Sequence, residues 1–438
     1  MKRTMLALSA LGILSAGTVG GVLPTTAYAA TSSHSTTAVT YPGHLIEMGS
    51  RGTYVKEVQQ QLNKLGYSCG TADGIFGSKT LKAVKAFQKA HHLTVDGVVG
   101  LATWNALFGF SPESSTKPKT IVNPYQTYTY NKMVQDIQSL TRKYPDLVHS
   151  EIVGRTVYGR SIYAVSIGKG KPTAFINGSH HAREWITTVL NMYMIEQYAQ
   201  AYEKGQSIGG YNVRNVLNNA TIWFIPMVNP DGVTLEQFGL SAFPQSSWAN
   251  LTRWNGGSSN FKRWKANAQG IDPNLQYDGG WADLRYDLVN HPWYENYKGP
   301  APYYINEVKA VLKLINQINP QDEVAYHSSG GVIYWGYKLT HTQESTDNWY
   351  ATKVRSMTGY SIEPIGASDG GGLTDWWTHN VGRPGLTVEV GTYVGNQPVP
   401  LDQFSTIWNQ NKAVGLFMAQ QAISLYKQHP DSVVRVNY

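Results

Sequence analysis

Cysteine is nearly absent: Cys69 stands alone among 438 residues. No internal disulfide is available, so the fold must be stable through its buried cores. A reactive thiol needs a basic partner and an electropositive setting. Cys69 instead lies just ahead of the small-residue stretch Thr71-Ala72-Asp73-Gly74, which favours a structural role. Long hydrophobic runs are also missing. Beyond the N-terminal segment nothing approaches the roughly 20 apolar residues of a membrane-spanning helix. There is no Lys/Arg block and no nucleic-acid motif, so nucleic acid is not the expected partner. The formal charge of +7 draws the protein toward polyanions, wall polymers or anionic headgroups among them.

What is present begins with processing and punctuation. Lys2 and Arg3 precede an apolar stretch from Met5 to Gly20, and Ala27-Tyr28-Ala29 forms a small-residue cleavage site. Residues 1–29 are therefore expected to be a signal peptide, leaving a secreted protein with no membrane segment. Hydrophobic residues make up 42% and charged residues 15%, a composition of folded rather than disordered chain. The 13 Trp and 28 Tyr are mostly expected to fill cores. A Ser/Thr-rich lead covers 30–43, and a proline-containing linker covers 110–124. These stretches set off a block at 44–109 and a larger one at 125–430, both of a size that folds independently.

The smaller block carries helical periodicity. Val55, Val58, Leu62 and Leu65 recur at three- and four-residue steps, and Gly66 stops the helix. A second helix is expected from about Ser78, with Leu81, Val84 and Phe87 inward. A third, shorter one holds Thr103, Trp104 and Leu107. An internal echo pairs Asp73-Gly74, Gly77 and Thr80 with Asp96-Gly97, Gly100 and Thr103; each half joins a tight turn to a helix start. GSRGTYVKEVQQQLNKLGY, DGIFGSKTLKAVKAFQ and LTVDGVVGLATWNALFG resemble the three-helix peptidoglycan-binding domain of bacterial wall enzymes. That resemblance implies peptidoglycan as partner and a cell-wall-associated location.

In the larger block, apolar β-type runs (161–168, 173–177, 221–228, 323–326, 386–390) alternate with helical stretches (133–144, 185–202, 304–318). The alternation predicts an α/β domain with a mixed, mostly parallel sheet flanked by helices. Reactive groups in such folds collect at strand ends.

The chemistry centres on Asn177-Gly178-Ser179-His180-His181-Ala182-Arg183-Glu184, between a buried strand and a long helix. His181 and Glu184 are three apart, so at a helix start both can face one point. An imidazole and a carboxylate together suit zinc. His-x-x-Glu alone is weak, because a solvated helix face gives the same pattern. A third donor is needed, and His327 stands at the end of the strand-like EVAYHSS, where a core histidine is the plainer reading. Glu389 lies inside the apolar run LTVEV. A buried carboxylate is either paired, here with Arg383 as one candidate, or used.

Taken in order, VGRTVYGRSIYAVSIG, GSHHAREWIT, VNPDG, RWKANAQGIDPNLQYD, YHSS and TVEVG are similar to the zinc carboxypeptidases of the carboxypeptidase A type. The resemblance runs from about Tyr128 to Tyr426. It implies a carboxypeptidase-like fold and one zinc ion held by His181, Glu184 and His327. It also implies Glu389 as general base and Asp272 as the carboxylate that orients His181. His180 has no role in the family. Arg183 matches a residue that contacts substrate, or else forms a structural ion pair. Where the family places an arginine near the oxyanion, this chain has Lys265.

Two departures bear on substrate. The Asn-Arg pair by which the family's exopeptidases hold a terminal carboxylate reads here Asn274-Leu275, and Ala367 falls near the family's mobile tyrosine. Losing a charged two-pronged clamp removes interactions of about 1.5–3 kcal/mol each. The whole resembles bacterial γ-D-glutamyl-L-diamino acid endopeptidases, which act on peptidoglycan stems. Thr374, Asp369 and Arg383 are candidate contacts to the diamino acid, and the chain is expected to act as a monomer. The alternatives are an exo-acting metallocarboxypeptidase with a rearranged clamp and a non-catalytic wall-binding protein.

Overall fold

The computed structural model describes residues 46–91, 93, 95–108, 120–285, 288–364, 370–436 and 438. The expected signal peptide, the polar lead, most of the linker, Ala367 and Asp369 lie outside them. The described residues fall into two units, divided between residues 117 and 118.

The N-terminal unit has helices α1 (Thr53–Lys64), α2 (Ser78–Ala90) and α3 (Leu101–Leu107). The expected stripe is buried: Val55, Val58 and Leu62 meet Val84, Phe87, Trp104 and Leu107 in one core. Leu65, read as part of that stripe, is exposed, because α1 ends one residue earlier. The sequence echo has a physical origin. The buried Gln59 amide donates to Asp73 Oδ1 (2.9 Å), the Ile75 carbonyl (3.0 Å) and Thr80 Oγ1 (3.1 Å), and its Oε1 accepts from Gly74 N–H (2.8 Å). Gln88 repeats this with Asp96 Oδ1 (2.7 Å), Val98 O (2.9 Å), Thr103 Oγ1 (3.1 Å) and Gly97 N–H (2.8 Å). The repeated Asp, Gly and Thr positions thus make internal bonds, and each glutamine joins one turn to the helix that follows it.

The larger unit is built on eight strands: β1 (Val148–Arg155), β2 (Ser161–Gly168), β3 (Thr173–Gly178), β4 (Thr221–Ile225), β5 (Asp322–Ser328), β6 (Val332–Trp335), β7 (Ser361–Ile362) and β8 (Gly385–Val390). Their spatial order is β1-β2-β4-β3-β5-β8-β6-β7. The central four, β4-β3-β5-β8, are mutually parallel, while β1-β2, β2-β4 and β8-β6 are antiparallel. Helices α4 (Tyr130–Lys143), α5 (Ile186–Lys204), α7 (His341–Thr358) and α8 (Val414–Gln428) contribute to one apolar core. Helix α6 (Asn306–Ile318) and Trp376-Trp377 contribute to the other.

Alternation along the central strands separates chemistry from packing. Val324 and Tyr326 of β5 and Leu386, Val388 and Val390 of β8 enter the first core. The intervening positions, including Glu323, His327, Thr387 and Glu389, face the other way and carry the polar groups.

Three boundaries differ from expectation. The strand expected over 221–228 stops at Ile225: Pro226 has no N–H to continue the ladder, and the Val228 and Asn229 amides turn to the Gly178 and Ser179 carbonyls. The linker expected to run to 124 ends sooner, because the Ile121 and Val122 amides donate to the buried Glu196 carboxylate at 2.6 and 2.7 Å. The unit also extends past 430, since Val434 and Val436 donate to Asn319 and Asn316 at 2.8 and 2.7 Å.

Candidate metal centre and active site

The turn after β3 is held from within. Ser179 takes a positive φ of 53°; its N–H donates to Thr187 Oγ1 (2.8 Å), and its hydroxyl lies 2.7 Å from Thr188 Oγ1. Ala182 N–H donates to the Lys265 carbonyl. A short 3-10 turn, Ala182–Glu184, follows before α5 begins. This path turns His181 and Glu184 toward the C-terminal end of β5, where His327 stands.

The three side chains converge. His181 Nδ1 lies 2.8 Å from Glu184 Oε1, His327 Nδ1 lies 2.9 Å from Glu184 Oε2, and the two Nδ1 atoms are 3.1 Å apart. All three residues are buried. The second nitrogen of His181, Nε2, lies 3.2 Å from Asp272 Oδ1. A carboxylate accepts only, so Nε2 carries a proton toward Asp272, and with zinc bound Nδ1 would present its lone pair to the ion. Two inward imidazole nitrogens and a carboxylate about one point form the donor set that suits zinc, whose tetrahedral ligands sit about 3.3 Å apart. The residues therefore fit the ion. Among the described residues this is the only group of three or more such donors.

The charges of the cluster stabilise one another. Burial alone would raise the Glu184 carboxyl, but His181 and His327 outweigh it and hold it well below the ordinary range. Burial works against charge on His181 too, yet Glu184 and Asp272 raise its pKa. Burial opposes ionisation of Asp272, and Lys265 and His181 overcome it, so this carboxyl is also held low. Lys265 Nζ lies 2.9 Å from Asp272 Oδ2 and 3.2 Å from Asn296 Oδ1. Asp272 thus bridges His181 and Lys265.

Glu389 is in register with His327 across β8 and β5. Burial pushes its carboxyl up to about 7, assisted by the nearby Glu184 charge and opposed by His327, Lys265 and Arg183. Arg383 does not pair with it: that guanidinium binds Asn319, Pro320 and Ser432 at the other end of the sheet. Arg383 is thereby removed as a substrate contact as well, because it sits where β8 begins and Glu389 sits near its end. Among the described residues no hydrogen bond or ion pair reaches the Glu389 carboxylate.

Glu389 instead borders a cavity of about 160 Å³ that Asn274, Thr374, Asp375, Thr387 and Tyr334 also line. Asn274 Oδ1 accepts from Leu373 N–H at 3.2 Å, and the neighbouring Leu275 brings no charge. Arg183 donates to the Arg263 carbonyl (2.8 Å) and pairs with Glu295 (3.2 Å). His180 is fully buried against Tyr277 Oη at 2.8 Å.

One group behind the cavity escaped the sequence reading. Glu323, fully buried, accepts from Asn177 Nδ2 (2.7 Å) and lies 3.1 Å from Thr374 Oγ1, which accepts from Thr387 Oγ1 (2.9 Å). The signal was available: an acid in an apolar strand, as at Glu389.

Known proteins match both units of the chain. A model of the zinc carboxypeptidase family matches residues 133–414, and a peptidoglycan binding domain model matches residues 51–107. Gamma-D-glutamyl-L-diamino acid endopeptidase 1 of Lysinibacillus sphaericus is 35% identical over 300 residues, covering 68% of this chain and 73% of that protein. Two solved structures share the fold: thrombin activatable fibrinolysis inhibitor, with a TM-score of 0.56 at 19% identity over 71% of this chain and 80% of that one, and the Helicoverpa armigera carboxypeptidase A, with 0.53 at 16% over 72% and 78%. With that match spanning the strands and turns that bring His181, Glu184 and His327 together, the chain belongs to the zinc carboxypeptidase family and carries a peptidoglycan-binding domain ahead of it.

Proposed function

We propose that the protein is a zinc endopeptidase of bacterial peptidoglycan stems, cutting the bond between γ-D-glutamate and a diamino acid such as diaminopimelate. The observation that carries this reading is the cavity beside Glu389. It offers carboxylates, hydroxyls and an amide, while the position next to Asn274 holds Leu275 rather than a cation for a terminal carboxylate. A wall-binding domain on the same chain and the activity named for the Lysinibacillus relative support it.

His181, Glu184 and His327 would hold the zinc, which when bound would supply an activated water and polarisation of the scissile carbonyl. Glu389 takes the proton of the attacking water and returns it to the leaving amine. Lys265, tethered on Asp272, supplies positive charge for the developing oxyanion, as a point charge rather than a fork. Asp272 fixes the His181 ring so that Nδ1 faces the metal. Thr374 and Asn274 border the space for the diamino acid, and Arg183 lies farther out, held by Glu295. The enzyme acts as an exported, wall-associated monomer.

Mass spectrometry of purified muropeptides after digestion, with and without chelator, tests the reading. The expected products are fragments ending in γ-D-glutamate and fragments beginning with the diamino acid, absent after chelation. Release of single residues from an unmodified C-terminal peptide, with muropeptides intact, would establish an exopeptidase instead. No cleavage of either by zinc-loaded protein would leave a wall-binding protein.

A further inference from the structure

A second cavity lies at the opposite end of the sheet. His327 and Glu389 stand near the C-terminal ends of β5 and β8, whereas Asp322 and Pro384 lie at their starts. Five strand residues at about 3.3 Å each separate Asp322 from His327 by about 16 Å. The cavity measures about 650 Å³ and is bordered by α7, the segment from Val381 to Pro384 and the C-terminal part of α8. Its size falls in the range of small-molecule sites.

Its chemistry is unbalanced. Asp347 of α7 lines the cavity and is only 2% exposed, yet among the described residues its carboxylate has no hydrogen-bond or ion-pair partner. Burial pushes its pKa up to about 8. Asp322 is fully buried nearby, with Oδ1 unpartnered and Oδ2 at 3.4 Å from the Tyr350 hydroxyl. The one lining guanidinium, Arg383, is spent on Asn319, Pro320 and Ser432. Among the described residues no lysine lines the space, and Lys353 Nζ lies 5.5 Å from the Trp349 ring centroid.

A buried carboxylate is unfavourable unless it is neutralised or paired. Among the described residues no third donor joins Asp322 and Asp347 in a metal-binding group, so a divalent cation, which wants six or more oxygens, has no cage. Trp349 and Tyr350 supply aromatic walls beside the acid, a setting that accepts an alkylammonium by charge and by ring contact. We propose that this cavity binds a small organic ammonium ion, with the ammonium on Asp347 and its methylenes against Trp349 and Tyr350. The site is separate from the metal centre and does not depend on the reaction proposed there.

The test is calorimetric titration of the zinc-loaded full chain at pH 7.5 with 1,5-diaminopentane, and with 1,5-pentanediol as the uncharged analogue. The diamine gives a saturable heat with a Kd at or below about 1 mM, and the diol gives none. The heat varies with the ionisation enthalpy of the buffer, because Asp347 releases a proton on pairing. The other titratable or charged groups facing it are Asp322 of β5, Tyr350 of α7, Arg383 before β8 and His429 after α8.

Asp347→Asn lowers the affinity at least tenfold. Ser424→Phe, which fills the cavity from α8 and leaves Asp347 in place, does the same and carries the test if the first variant fails to fold. Glu389→Gln, at the other end of the sheet, leaves the affinity unchanged. Absence of saturable heat at ten times the expected Kd overturns the proposal. So does equal binding of the diol, wild-type affinity in Ser424→Phe, or loss of binding in Glu389→Gln.

Discussion

Glu389 and His327 are direct register partners on the parallel strands β8 and β5. Alternation sends both side chains to the face opposite Val388 and Tyr326, which are buried in the apolar core. The proposed base and one proposed metal ligand are therefore spaced by the strand ladder itself, not by a loop. A rigid ladder holds reacting groups within the narrow tolerance that catalysis requires.

This register yields the first prediction. Glu389 is not among the three converging donors, so Glu389→Gln retains about one zinc per chain. Turnover of muropeptides falls by about a hundredfold or more, because the water proton has no acceptor. Metal analysis and initial rates on the same preparation check both halves. Near-normal turnover would assign the base to another group.

The second prediction concerns the carboxylate shared by His181 and Lys265. Asp272→Asn keeps the shape but removes the charge that pairs with both. Zinc affinity falls by about 10–100-fold, the usual consequence of losing a ligand's orienting partner. Lys265→Met leaves Asp272 on His181, so it lowers turnover more than zinc affinity. Competition with a chromogenic chelator measures the affinities. Equal zinc binding in Asp272→Asn would mean that packing alone orients the His181 ring.

Much of this was legible along the chain because the informative signals are local. The β3-turn-α5 segment carries two donors within four residues, and acids inside apolar strands stand out by their desolvation cost. Arg383 misled because sequence order does not tell which end of a strand faces the site: it precedes β8, and Glu389 nearly ends it. Gln59 and Gln88 were invisible for another reason. Their spacing is 29 residues, while the Asp, Gly and Thr positions repeat at 23, so no single period links a glutamine to the turn it fastens. The unit boundaries at Val122 and Val434 depend on bonds to Glu196 and Asn319, partners 74 and 115 positions away, which no local pattern contains.

Those glutamines give the third prediction. Gln59→Ala or Gln88→Ala leaves a buried turn amide and a buried threonine without their partner, a loss of about 2–4 kcal/mol. In calorimetry of the full chain, the transition of the N-terminal unit moves down by about 10 °C or more while hydrolysis of soluble muropeptides is unchanged. An unmoved transition would mean that water replaces the amide without loss.

The last prediction follows from acids that the site does not use. Burial is the leading cause that pushes Glu236 and Glu307 up to about 7 and Glu323 and Asp347 up to about 8. Their ordinary values are 4.5 for glutamate and 3.8 for aspartate. Between about pH 4 and 8 the folded chain therefore binds more protons at these groups than the unfolded chain, and stability falls as pH rises through that window. Glu184 and Asp272, held low by their partners, act in the opposite sense. Their contribution is present above the ordinary carboxylate pKa and is lost as pH falls toward their folded values. The two trends place the greatest stability of metal-free protein in mildly acidic solution, with thermal midpoints declining from about pH 5 to 8.5. Glu307→Gln removes one of the protonated acids, whose Oε2 has no partner, and so makes the decline shallower. A midpoint that rises across the same range would mean that these carboxyls are ionised in the folded protein, with pairings such as Lys262 Nζ on Glu236 at 2.9 Å outweighing burial.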